Sequence, residues 1–222
     1  MLGANESFPL PDDPVLAEVA AAVRDSHDWA WIVDRSWRLV YMTDEHRRSF
    51  AAGIEMISVP QGGHVFGPEM VGASADWVTG LNRPELWGPM VSAVGGLLLE
   101  DTRESVEQVR ERVDPALRDR FDGLTPTDVA ATSFLAMGTY LGSPFRVGAK
   151  VLRIRDAAGQ VRGTLFLFQP GVGMGVIGTM AFALDPGHLD RMASVARASR
   201  TPASILFADL GVPSFMSRTL ST

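Results

Sequence analysis

Apolar residues recur at helical spacing through "PVLAEVAAAVR", residues 14–24, with Asp12 and Asp13 placed ahead of them as caps. This spacing predicts a short amphipathic helix. The pattern then changes to two short runs rich in aromatic and β-branched residues, 29–33 and 38–42, separated by Asp34, Arg35 and Ser36. Such runs predict a β-hairpin, and "TDEHRRSF" after it predicts a helix. Pro84 opens a helical run through Leu99, Val106, Val109 and Val113 share one face, and Asp114-Pro115 restarts the helix with Leu117 and Phe121. The charges of "RESVEQVRERVD" read as a solvated face. "TPTD" at 125–128 has the form of a helix start, so a further helix is expected through Tyr140. Beyond Gly142 the period becomes two. "FRVGAKVLRIRD" and "VRGTLFLFQ", joined by "AAGQ", predict a long antiparallel hairpin, with 176–184 as a third strand. Two early strands and three late ones predict an α+β fold, with one five-stranded antiparallel sheet and helices on one face.

Composition narrows the partners. With a formal charge of −6 and no clustering of Lys or Arg, nucleic acid is not an expected partner. The absence of cysteine excludes disulfides and thiolate metal sites, and fits a cytoplasmic location. The first residues have neither a basic nor an apolar segment of the kind that directs secretion. Residues 163–184 carry no charge, but Gln169-Pro170 and scattered glycines break any membrane-crossing helix, so no membrane span is expected.

The segment "WAWIVDRSWRLVYMTD", with the strand order around it, resembles the opening hairpin of a PAS-type sensor domain. The resemblance implies a PAS-like sheet over residues 26–184, with the middle helices as an insertion and residues 1–25 as a separate helical segment. A pocket in such a fold can hold haem, flavin or a lipid. His64, in "PQGGHVFGPE", is the candidate haem ligand, although a solvated or hydrogen-bonded loop histidine is the plainer reading and haem is not favoured. Trp29, Trp31 and Trp87 are candidate pocket residues, with core packing the simpler account.

The last stretch, "PASILFADLGVPSFMSRTLST", resembles the first strand of the catalytic domain of a bacterial class III adenylate/guanylate cyclase. That resemblance implies a connector helix at 185–203 and the start of a catalytic domain at 204–222. It also places Asp209 at a vestigial position for the magnesium ions of a parent cyclase. Val212 stands where the family has glycine, and Pro213 has no N–H to offer a phosphate. The second metal carboxylate and the base-recognition groups lie downstream in the family, so the chain is expected to be catalytically incomplete. The function expected is a regulatory sensor and dimerisation region of a cyclase in cyclic-nucleotide signalling, acting as a homodimer. The alternative is a stand-alone PAS-like module for a small-molecule ligand such as haem or a lipid.

Overall fold

The computed structural model describes residues 6–50, 57–74, 83–140 and 143–170. Contacts divide the chain into Met1–Ala181 and Phe182–Thr222, and every described residue belongs to the first unit.

Helix α1 spans Pro14–Asp25. The Asp13 carboxylate caps it, accepting from the Val15 N–H at 2.9 Å and the Leu16 N–H at 3.2 Å, and Pro14 occupies the first turn, where no amide donor is needed. Strands β1 (Trp29–Asp34) and β2 (Leu39–Met42) form the expected hairpin. Its turn is tied by Asp34, whose Oδ1 accepts from the backbone N–H groups of Ser36 at 2.8 Å and Arg38 at 2.9 Å. The helices that follow are α2 (Asp44–Phe50), α3 (Pro68–Ala73), α4 (Arg83–Thr102) and α5 (Val106–Arg112), then a 3-10 helix at Pro115–Phe121. Strands β3 (Ala131–Tyr140), β4 (Ser143–Arg155) and β5 (Val161–Pro170) complete the described chain.

One antiparallel sheet holds all five strands, in the order β2-β1-β5-β4-β3. The α+β, PAS-like five-stranded sheet expected from the sequence is therefore the fold, but its third late strand is a different segment. Residues 131–140, expected as helix, are β3, and they pair with β4 over the full register from Ala131↔Leu152 to Tyr140↔Ser143. "TPTD" starts no helix because it is docked on α4. The Thr127 N–H donates to Gly96 O at 2.9 Å, and the Thr125 carbonyl lies where a Gly96 Cβ would be, 2.7 Å away. The chain after it alternates, with Phe134 and Ala136 buried and Ser133 and Leu135 exposed, which is the period of a strand with one covered face. The strand expected at 176–184 and the connector helix at 185–203 lie outside the described residues.

Cross-strand register sorts the sheet into two faces. Trp31 opposes Phe166, Phe166 opposes Val151, and Val151 opposes Thr132, so these share one face, together with Ala149 and Phe134. Helix α4 covers it at β3 and α2 at β1, and the 3-10 helix packs on α4 and α5. Helix α1 lies against the other face, where Ile32, Leu165, Leu152, Gly163 and Ile154 are in register. Leu16, Ala20 and Val23 are the buried stripe of α1. Asp13 also accepts from Arg162 Nε at 2.9 Å, joining the cap of α1 to β5, and this bond to Arg162 holds the Asp13 carboxyl below its ordinary pKa.

Gly163 is required by closeness of approach. A Cβ there would lie 2.3 Å from the Val33 carbonyl oxygen and 3.0 Å from Leu16 Cδ2. Backbone cannot yield as a side-chain tip does, so Gly163→Ala should destabilise by about 1–3 kcal/mol through overpacking. A urea titration followed by tryptophan fluorescence would measure this, and an unchanged midpoint would contradict the β1–β5 spacing.

Candidate functional site

Two places on the helical side of the sheet have chemistry beyond simple apolar packing. The first is an aromatic stack. Trp31 and Trp87 are fully buried with ring centroids 6.3 Å apart. His46 of α2 stacks on Trp31 at 5.5 Å, lies 5.7 Å from Trp29, and takes Phe168 edge-on at 4.5 Å. Phe66 meets Trp87 at 6.2 Å, and His64 stands 6.3 Å from Phe66. The structure thus puts Trp31 and Trp87 in direct contact, Trp29 beside them through His46, and His64 at the far end through Phe66. All three tryptophans belong to the buried core. Burial drives the imidazoles towards neutrality, taking His46 from 6.5 to about 3. It takes His64 to about 4, with the Arg112 and Arg38 charges acting the same way.

The His64 ring is oriented by its own loop. Its Nδ1 accepts from the Phe66 N–H at 3.2 Å, so the ring proton sits on Nε2, which is buried and has no hydrogen-bond partner among the described residues. A haem iron needs a bare ring nitrogen, and this tautomer offers none, so the arrangement does not fit His64 as an axial ligand. Asp209 lies outside the described residues. Among the described residues, no three His, Asp or Glu side chains are grouped to hold a metal ion.

The second place is a cleft of about 340 Å³ beside the C-terminal end of α4. Its floor is an ion pair that sequence reading missed. Arg153 of β4 reaches across to Asp101 of α4 with both terminal nitrogens, Nη1 to Oδ2 at 2.7 Å and Nη2 to Oδ1, and the two side chains are 1% and 3% exposed. Trp37 Nε1 donates to the same carboxylate at 2.9 Å. Burial pushes the Asp101 carboxyl above its ordinary pKa, against the pull of Arg153 and Trp37. Around this floor stand Arg35 from the β1–β2 turn, Glu100 and Arg103 at the end of α4, and Asp128 and Arg155, which pair at 2.6 Å. Trp37 and Arg103 have the left-handed φ values of +59° and +55° that side-chain-bearing residues rarely adopt. A signal for the floor was present in the alternation of β4, because Val147, Ala149, Val151 and Arg153 share one face. A charge ending an apolar row needs a buried partner.

No protein-family model matches this chain, and no curated protein matches it.

Proposed function

We propose that this chain is the regulatory sensor region of a class III nucleotide cyclase, dimerising and biasing the geometry of a catalytic pair. The observation that carries the proposal is the PAS-like sheet, with its helical face packed by aromatic rings, on the same chain as the cyclase-like segment around Asp209. A signal on such a domain acts by shifting a pre-existing equilibrium between arrangements. A second reading, a stand-alone module for a small molecule, draws on the arginine-lined cleft and requires no cyclase.

Two assays test the first reading, and the second of them separates it from the stand-alone module. The full chain incubated with ATP and magnesium should form no cyclic AMP above a heat-inactivated control. Residues 1–208 fused in frame to a complete class III catalytic domain, joined at the position of Asp209, should yield a dimer more active than the catalytic domain alone. Mutating that aspartate to alanine should abolish the activity. Equal activity with and without the fused residues, together with a monomeric native mass, would overturn the cyclase reading and leave the stand-alone module.

A further inference from the structure

The cleft beside α4 is a basic spot in an acidic chain. Four arginines face three carboxylates across it, while the whole chain has a formal charge of −6. Two of the arginines are committed, Arg153 to Asp101 and Arg155 to Asp128. The exposed side chains of Arg35 and Arg103 make no ion pair or hydrogen bond among the described residues, and Glu100 is the carboxylate left beside them. The floor holds unspent polar capacity as well. Arg153, which lines the cleft, keeps its Nε buried with no partner among the described residues. Buried groups of this kind call for a ligand or water contact. The left-handed backbone at Arg103 and Trp37 adds strain at this end of the molecule, a feature that concentrates at binding sites.

We propose that the cleft binds a phosphorylated small molecule, with its phosphoryl group held between Arg35 and Arg103 above the Asp101–Arg153 floor. One guanidinium fork satisfies the two oxygens of a carboxylate, whereas a phosphoryl group carries three terminal oxygens and nearly two negative charges at neutral pH. Two arginines arriving from separate elements suit the phosphoryl group better. Glu100 and Gln160 at the rim suit hydroxyl or amide groups on the remainder of the ligand, and the volume of about 340 Å³ admits a molecule of modest size. This deepens the sensor reading by naming a class of signal. Its test measures binding without any cyclase, so a failed fusion assay and a failed binding assay are separate results.

The probe is inorganic pyrophosphate, titrated calorimetrically into the full chain at fixed ionic strength, with sodium citrate and sodium chloride as parallel arms. Saturable binding of pyrophosphate is expected, accompanied by a rise in melting temperature. The double variant Arg35→Ala/Arg103→Ala should lose about tenfold or more in affinity and melt like the parent when no probe is present. If that variant melts early, Arg35→Gln in the exposed turn carries the same comparison. Absence of saturable binding, equal binding of citrate, or undiminished affinity in the variants would overturn the assignment.

Discussion

Asp101→Ala is expected to remove a large part of the stability of the domain. The substitution strands the Arg153 guanidinium, 1% exposed, without a counter-charge and leaves the Trp37 indole N–H with no acceptor. Breaking a buried pair from one side costs about 3–5 kcal/mol, against a total stability of about 5–15 kcal/mol for a typical domain. In a chain of this size that corresponds to a fall of roughly 6–20 °C in melting temperature. The paired replacement Asp101→Leu/Arg153→Met removes both charges together and should recover much of the loss, because an apolar pair of similar volume avoids the desolvation of two ions. Thermal melts by circular dichroism decide the matter. If the single variant melted within about 2 °C of the parent, a difference worth no more than about 1 kcal/mol, the ion pair would not be the tie between α4 and β4.

Acid should weaken the domain before its surface carboxylates are titrated, because His46 is held neutral. Its folded pKa of about 3 lies below the ordinary 6.5, so the unfolded chain takes up the proton first. The stability associated with the neutral ring is fully present above pH 6.5 and is lost as pH falls towards 3. The loss is about 1.4 kcal/mol per pH unit, or roughly 2–3 kcal/mol by pH 4.5. His64, at about 4, acts in the same direction. Replacing His46 by Phe keeps a flat ring against Trp31, Trp29 and Phe168 while deleting the titration, and should flatten the dependence of melting temperature on pH between about 6.5 and 4.5. An unchanged slope in His46→Phe would assign the acid sensitivity elsewhere.

Most of the sheet was legible because alternation is a local property. Trp29 to Met42 and Phe145 to Gln169 show the two-residue period directly, and Asp13 before Pro14 marks the start of α1. Strand β3 was misread because Thr125-Pro126-Thr127-Asp128 has the local form of a helix cap. What overrides it is tertiary, the docking of Thr125 and Thr127 on Gly96 of α4 and the open edge of β4. The tryptophans were identifiable as a cluster, since large rings must be buried together, but their neighbour His46 was not singled out. The alternation of β4 marks Arg153 as a charge on a covered face, but its pairing with Asp101 was hidden for a different reason. The two are 52 residues apart and meet only once α4 lies across β4, so no spacing encodes the pair.

The interior place of β1, between β2 and β5, has a consequence for synthesis. β1 is bonded to β5, and the Asp13–Arg162 tie that accompanies this pairing links positions 149 residues apart. A ribosome adding about 5–20 residues per second therefore exposes the apolar stripe of α1 and the β1–β2 hairpin for roughly 6–30 seconds before β5 emerges to cover them. Contacts of such long range also slow folding once synthesis is complete. Newly made chains should thus depend on chaperones that shield the N-terminal hairpin, and a ribosome stalled before β5 should display Trp29 and Trp31 as a target for proteolysis.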